Sequence, residues 1–286
     1  MSNVQFKLKQ LKDQLTETEE KIAKVIETKP KLILKASSQE LADLSGTSPA
    51  SWNRLAKKLG YKGVVELKVE LATEGNKPEI YEDIDLLING SEMMEDLVLK
   101  YQRICEKSLA DTIKILDVES LKQAIKLMIK ADRIFIYGVG ASSTIAFDFL
   151  QKVSRIGKTA IFYPDMHLLL SHLSSITSRD VLLSISYSGE TPEVIFGSNL
   201  AKENGANVIS ISGFNPTNSL AKISDVKLFI PLEEKKLRVG AITSRNSSLL
   251  LTDILYLGLA AEDYEATLSM LKYSHTKADI LKNGRK

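Results

Sequence analysis

Two short turns that combine glycine with serine are the residues best suited to chemistry in this chain. They occupy residues 138–143 and 186–191, and each follows an apolar stretch that predicts a buried β-strand. Glycine allows close approach of the backbone, hydroxyl groups donate hydrogen bonds, and unpaired N–H groups at the start of a helix attract anions. Because the carboxyl ends of parallel strands meet at one edge of a sheet, the two turns together predict a site for one phosphorylated small molecule.

The first turn also fits a different interpretation, a dinucleotide-binding loop. Such a loop would continue Gly138 and Gly140 with a third glycine near position 143, where this chain has Ser143. It would also need an acidic residue about twenty residues past the loop, and Asp165 lies near that distance. The dinucleotide interpretation leaves the second turn unexplained. We therefore favour the phosphate site and keep the dinucleotide fold as the alternative.

Few residues near these turns could catalyse proton transfer. His167 and His172 follow the second predicted strand, and Glu190 and Glu193 follow the third. An isomerase would need such a residue as a base. We expect His167 to contact the ligand rather than to act as a base, and His172 to lie on a helix surface. The three histidines and the single cysteine are too scattered to predict a metal site, and no cofactor is expected.

Composition restricts the class of protein further. The chain has 286 residues, of which 44% are hydrophobic, and a net charge of +2. This length predicts about two domains. The single cysteine, Cys105, excludes an intrachain disulfide and suits a reducing compartment. No apolar run approaches the ~20 residues that cross a membrane, and residues 1–14 hold no signal-peptide core. We therefore expect a cytoplasmic protein without membrane contact.

The chain divides into an all-helical part and an α/β part. Helical patterns fill residues 1–76, glycine and proline predict a linker at 77–90, and residues 91–286 form the second domain. In this second domain, short apolar runs alternate with helical segments, which predicts a doubly wound α/β fold with a five-stranded parallel sheet. Strands are expected at 134–137, 159–163, 181–185, 208–211 and 226–230, helices at 92–115, 120–130 and 244–272, and a solvated loop, or alternatively a lid, at 233–236.

The first domain carries the pattern of a helix-turn-helix. A capped helix after Ser37 is followed by a glycine turn and by a second helix that starts at Ser48-Pro49. Between residues 48 and 68, five basic residues oppose one acidic residue, which is the electrostatic footprint of a duplex-DNA reader. A solvated helix in a small helical domain is the alternative. The predicted DNA contacts are base-edge residues Thr47, Ser48, Ala50, Ser51 and Asn53, and phosphate-binding residues Arg54, Lys57 and Lys58.

Two stretches of the chain resemble known families. The segment 48–63, Ser-Pro-Ala-Ser-Trp-Asn-Arg-Leu-Ala-Lys-Lys-Leu-Gly-Tyr-Lys-Gly, looks like the DNA-binding domain of RpiR-type bacterial transcriptional regulators. Trp52 departs from that pattern, because the family usually has a smaller aliphatic residue there. Residues 121–265 resemble a SIS domain, a phosphosugar-binding module, through the two serine turns and the segment 240–245.

The resemblance to SIS domains implies a role for individual residues of the turns. It implies that the second turn holds the phosphate, and that residues of the first turn contact the sugar or the phosphate. Helix capping is the alternative role for Ser142, Ser143 and Thr191. The implied ligand-binding residues are Gly140, Ser142 and Ser143 in the first turn, Ser186, Tyr187, Ser188, Gly189 and Thr191 in the second, and His167.

Together the two resemblances cover nearly the whole chain and imply a one-component transcriptional regulator. Its helix-turn-helix domain would bind double-stranded operator DNA, and a phosphosugar would modulate that binding. Because readers of this kind bind two-fold operators, we expect a homodimer or a higher homo-oligomer, with the helix at 92–115 packed between subunits. The alternatives are a phosphosugar isomerase or lyase with an accessory helical domain, and a dimeric scaffold with a vestigial pocket.

Overall fold

The described N-terminal residues, 3–73, form six α-helices and one short 3-10 helix, Lys12–Gln14. The structure is a computed structural model that describes residues 3–73, 93–232 and 240–284. The linker predicted at 77–90 and the loop predicted at 233–236 lie outside these residues. The helices are α1 (Asn3–Gln10), α2 (Glu17–Thr28), α3 (Pro30–Lys35), α4 (Ser38–Ser45), α5 (Pro49–Lys58) and α6 (Val64–Thr73).

Side-chain caps set the starts of these helices. Thr16 and Glu19 form a complete capping box at α2, and Ser37 and Glu40 form one at α4. Helix α2 ends at Thr28, and Pro30 opens α3, as expected of a residue whose ring prevents the helix from continuing through it. The helical prediction for the N-terminal part is therefore confirmed over residues 3–73.

A five-stranded parallel sheet forms the centre of the second part, in the order β2-β1-β3-β4-β5. This order is that of a doubly wound sheet, and the predicted fold class is confirmed. The strands are β1 (Ile134–Gly138), β2 (Ala160–Ile161), β3 (Val181–Ile185), β4 (Asn207–Gly213) and β5 (Val226–Ile230); the helices are α7 (Met94–Ile115), α8 (Val118–Lys130), α9 (Ala141–Arg155), α10 (Met166–Leu173), α11 (Pro192–Glu203), α12 (Ser219–Ile223), α13 (Ile242–Glu262) and α14 (Tyr264–Asn283).

Helices cover both faces of the sheet, which explains the continuous apolar strands. Phe149 of α9 and Leu255 of α13 pack with Ile136 on one face, together with α8. Leu173 of α10 and Val194 of α11 pack with the alternate strand residues on the other face. Since successive side chains of a strand point to opposite faces, every residue of β1 and β3 is buried.

Two predicted elements differ in length from those observed. The edge strand β2 pairs with β1 through Ala160 and Ile161 only, and the chain leaves the sheet before Pro164. The helix predicted at 244–272 is two helices, α13 and α14. Asp263 separates them: its backbone is non-helical, and its side chain accepts a hydrogen bond from the Ala266 N–H and so caps α14.

The described residues separate into two compact units. One lies within Met1–Lys100 and Phe214–Pro216, and the other within Tyr101–Gly213 and Thr217–Lys286. None of the described helices combines the length and the apolar character that a membrane span requires.

Candidate functional site

A polar cleft lies where β1 and β3 end. Its free volume is about 80 Å³, whereas one water molecule needs about 10–15 Å³, so the cleft has room for a group of several atoms. Ser142 contributes from the first turn, and Tyr187, Ser188 and Thr191 contribute from the second. The two turns that the sequence singled out therefore come together at one edge of the sheet.

Hydrogen bonds within the second turn fix its conformation and leave some of its backbone N–H groups available to a ligand. The hydroxyls of Ser186 and Thr191 are 2.8 Å apart, and the Gly189 N–H donates to the Ser186 carbonyl oxygen at 3.0 Å. Gly189 has a φ of +69°, which glycine adopts without strain. The backbone N–H groups of Ser188 and Thr191 donate to no other residue in the described parts of the chain. This loop is thus equipped to receive the oxygens of an anion.

The observed contacts do not support helix capping as the main role of the three hydroxyl residues. Thr191 occupies the N-cap position of α11, but its side chain makes no capping hydrogen bond. Gly140, with a φ of +61°, is the N-cap of α9, so Ser142 and Ser143 lie inside the first turn of that helix. Ser142 lines the cleft, whereas the Ser143 hydroxyl donates to the Gly140 carbonyl oxygen at 2.6 Å and does not line it.

Helix α13 supplies three cleft residues that the sequence interpretation did not assign: Ser244, Arg245 and Ser248. Arg245 matters most because its guanidinium is a permanent cation with several donors, which suits phosphate recognition. Arg245 lies in the segment 240–245, which is part of the resemblance to SIS domains, and the sequence alone gives its side chain no role. The N-cap of α13 is Ala241, a non-glycine residue with a φ of +53°.

The other chemistry-bearing candidates lie away from the cleft lining. His167 is exposed on α10, and His172 is half-buried on the same helix, with its ring stacked on Tyr163 at 4.6 Å between centroids. Asp165 is exposed, and its Oδ1 accepts a hydrogen bond from the Leu168 N–H at 2.9 Å and so caps α10. No cluster of possible metal ligands occurs among residues 3–73, 93–232 and 240–284.

The N-terminal unit has the local geometry of a helix-turn-helix. Gly46 ends α4 with a φ of +62°, and the Ser48 side chain accepts from the Ser51 N–H to start α5. The Trp52 indole N–H donates to the Leu41 carbonyl oxygen at 3.0 Å and to the Ser45 hydroxyl at 2.9 Å. Trp52 is therefore the residue that links the second helix to the first, and it is almost completely buried.

We predict that Trp52→Phe lowers the stability of this unit by about 1–3 kcal/mol. The phenyl ring keeps most of the packing but removes the donor to α4 and leaves a small void. Urea unfolding followed by circular dichroism measures the change. An unchanged unfolding midpoint would contradict this role of the indole, and Phe6→Leu, another change in a buried aromatic of the same unit, serves as the comparison.

Two of the predicted DNA-contacting residues, Lys58 and Ser51, make hydrogen bonds within the unit. Lys58 donates to the Gln14 carbonyl oxygen and to the Glu19 carboxylate, both at 2.8 Å, so its charge is used within the unit. Partial burial acts to raise the pKa of Glu19, but the hydrogen bonds from Lys58 and Thr16 outweigh it and lower the pKa below its ordinary value. Ser51, in the first turn of α5, is buried and hydrogen-bonds with the Ser48 hydroxyl.

Most of the remaining predicted residues lie on the outer side of α5. Arg54 and Lys57 are exposed, and Arg54 is oriented by a 3.1 Å hydrogen bond to the Ser51 hydroxyl. Ser48 and Ala50 are also exposed at the start of the helix, whereas Thr47 is half-buried. Asn53 is exposed, but its side-chain oxygen Oδ1 accepts a hydrogen bond from the Val64 N–H at 3.2 Å and helps to start α6.

Comparison with known proteins agrees with both parts of this description. Residues 2–78 match the helix-turn-helix domain of the rpiR family, and residues 127–258 match the SIS domain. An HTH-type transcriptional regulator of Caldanaerobacter subterraneus is 32% identical over 281 residues, covering 98% of each chain. One of Thermotoga maritima is 34% identical over 270 residues, covering 93% of this chain and 95% of the other.

A solved structure extends the comparison to the fold of the whole chain. The Vibrio vulnificus NanR protein, complexed with ManNAc-6P, is 26% identical with a TM-score of 0.60, covering 99% of this chain and 100% of the other. The sequence matches and this shared fold lead to one conclusion: the chain belongs to the RpiR family of helix-turn-helix transcriptional regulators that carry a SIS domain.

Proposed function

We propose that this regulator binds a phosphorylated sugar in the cleft and that occupancy changes its affinity for operator DNA. The observation that carries the proposal is the meeting of the second serine turn with Arg245 in one cleft. In this account Ser188 and Thr191 bind the phosphate through their hydroxyls and backbone N–H groups, and Tyr187 lines the cleft beside them. Ser186 is buried and hydrogen-bonded to Thr191 and to the Gly189 N–H, so it supports the turn from within. Ser142, following Gly140, contacts the sugar or the phosphate. The ligand of the NanR neighbour, a sugar phosphate, supports this class of effector.

Binding rather than catalysis fits the chemistry of the cleft. The lining residues that the structure describes include serine, threonine and arginine, but no histidine, aspartate or glutamate. A sugar-phosphate isomerase needs a base beside the carbonyl carbon, and such bases are most often His, Glu or Asp. We therefore propose a sensor without isomerase activity.

We further propose that α5 reads the operator, with Ser48 and Ala50 near base edges and Arg54 and Lys57 on phosphates. Two-fold operators require two copies of such a helix, so we propose a homodimer in the cytoplasm. One face of α7 suits the subunit interface because Met94, Val98, Leu109 and Ile113 are exposed on it in the described part of the chain.

A polar seam within the second unit provides a route from the cleft to α7. The Ser108 hydroxyl is 2.8 Å from that of Ser247 and donates to the Thr243 carbonyl oxygen at 3.1 Å. Thr243 and Ser247 flank the cleft residues Ser244 and Arg245 on α13. A ligand that shifts the start of α13 therefore also biases α7, which is the differential effect that regulation requires.

A melting-temperature screen tests this proposal. The full-length protein is heated with a panel of hexose and N-acetylhexosamine 6-phosphates, N-acetylmannosamine 6-phosphate included, and with the same sugars without phosphate. A binder at a hundred times its Kd stabilises the folded state by about 2.7 kcal/mol, so at least one phosphosugar should raise the melting temperature while its dephosphorylated form does not. Equal shifts with and without phosphate, or no shift with any member, would count against the proposal.

A further inference from the structure

Hydrogen bonds join the second serine turn, residues 186–191, to the segment that starts α12. The Asn218 side chain is 1% exposed, and its amide group donates to the Ser212 hydroxyl at 3.1 Å while its oxygen accepts from the Ala221 N–H at 2.6 Å. A Cβ atom added at Gly189 would come within 2.2–2.4 Å of this amide. Asn218 therefore fills the space directly beneath the turn.

Two carbonyl oxygens of the turn accept backbone hydrogen bonds from neighbouring segments. The Gly189 oxygen accepts from the Leu220 N–H at 2.9 Å, and the Tyr187 oxygen accepts from the Gly213 N–H at 2.8 Å. Carbonyl oxygens repel an anion, so a phosphate site gains when they are directed elsewhere and the N–H groups are left to the ligand. These contacts hold the acceptors of the turn in that arrangement.

Glu190 adds two further hydrogen bonds between the turn and the start of α12. Its Oε1 accepts from the Ser219 N–H at 2.8 Å and its Oε2 accepts from the Ser219 hydroxyl at 2.6 Å. The residue lies within the turn itself, between Gly189 and Thr191. A carboxylate next to a bound phosphate opposes binding through charge repulsion, so its presence needs a compensating effect.

We propose that Glu190 and Asn218 are positioning residues that hold the turn at 186–191 in its anion-binding conformation. The inference rests on the proposed phosphosugar function and assigns neither residue a contact with the ligand. Glu190 acts through Ser219, and its hydrogen bonds outweigh the repulsion that its charge exerts on the phosphate. Asn218 supports Gly189 and fixes α12, to which the turn is tied.

The effects of charge and of hydrogen bonding at Glu190 can be separated, because they predict opposite changes in phosphate affinity when the carboxylate is removed. Glu190→Ala removes both the negative charge and the hydrogen bonds to Ser219. If the charge had the larger effect, the variant would bind phosphate more tightly than the wild type. We expect weakening by about ten-fold, the lower end of what supporting hydrogen-bond partners contribute at metal sites. Glu190→Gln removes the charge but keeps groups that bond to Ser219, so it should bind as well as the wild type or better. Glu193→Ala, which removes an exposed carboxylate from the first turn of α11, is the matched control and should not weaken binding.

The experiment is a phosphorus-31 NMR titration of inorganic phosphate with the full-length protein and these variants, with melting temperatures recorded without phosphate to verify folding. Ser219→Ala supplies a milder second test and should weaken binding by a few-fold. Binding by Glu190→Ala that equals or exceeds that of the wild type would overturn the inference, as would a wild type that does not bind phosphate. A wild type that binds phosphate but no phosphosugar overturns the proposed function alone.

Discussion

A methyl group added at Gly189 is expected to abolish ligand binding at the cleft. In Gly189→Ala the new Cβ would lie 2.2–2.4 Å from the Asn218 amide, and the backbone would keep a φ of +69° that alanine adopts only with strain. The turn must move to relieve the clash, and its N–H groups then no longer converge on one anion. We expect at least about a 100-fold loss of phosphosugar affinity, which corresponds to about 2.8 kcal/mol.

Gly205→Ala is the matched control for this change. Gly205 has a φ of +79°, so alanine is strained there too, but its Cβ would meet Ser178 at ordinary contact distances, 3.4 Å from its Cβ and 3.9 Å from its Cα. Gly205→Ala should lose some stability and keep its ligand affinity in calorimetry. Operator affinity in the absence of ligand should be unchanged in both variants. Wild-type ligand affinity in Gly189→Ala would remove the turn from the site.

The second large effect is expected on DNA binding. Replacing both Arg54 and Lys57 by alanine removes two exposed cations from the outer side of α5. Each lost phosphate contact lowers the slope of log affinity against log salt concentration by about 0.9, so the double variant should have a slope shallower by about 1.8. The affinity should fall for all duplexes alike, because phosphate contacts carry no sequence information.

Fluorescence anisotropy at several salt concentrations measures this slope. Lys24→Ala is the control, since Lys24 is an exposed lysine on α2 of the same unit. It should keep the wild-type slope. A double variant with the wild-type slope would show that α5 does not face the phosphates. Lys58→Ala should differ from both: its charge is paired with Glu19, so it should lower stability with little change in the salt slope.

Local signals predicted much of the fold. The capping boxes at Thr16 and Ser37 formed as their residue types indicated, and the apolar runs became buried parallel strands. The break at Asp263 was missed, since helical periodicity continues through it and no glycine or proline marks the end. The edge strand β2 was predicted but is shorter than expected, because the apolar run at 159–163 gives no sign that pairing with β1 stops at Ile161.

The site was predicted in part. The two serine turns were recognisable because strand, glycine and hydroxyl are contiguous in the sequence. Arg245 was not assigned, since it reaches the cleft from α13, more than fifty residues after the second turn. The sequence predicts a DNA contact for Lys58, because nothing in the sequence indicates that this lysine forms an ion pair within the unit. Its partner, Glu19, lies 39 residues earlier, and only the fold brings the two together.

Operator affinity with and without phosphosugar tests the central claim most directly. Duplexes selected from a random pool by the full-length protein provide the operator, and anisotropy gives the Kd in the presence of the phosphosugar that raises the melting temperature most. Couplings between two sites are typically about 1–3 kcal/mol, so a change of at least about five-fold is predicted, and Gly189→Ala should lose it. An operator affinity that stays the same at saturating phosphosugar would contradict the account.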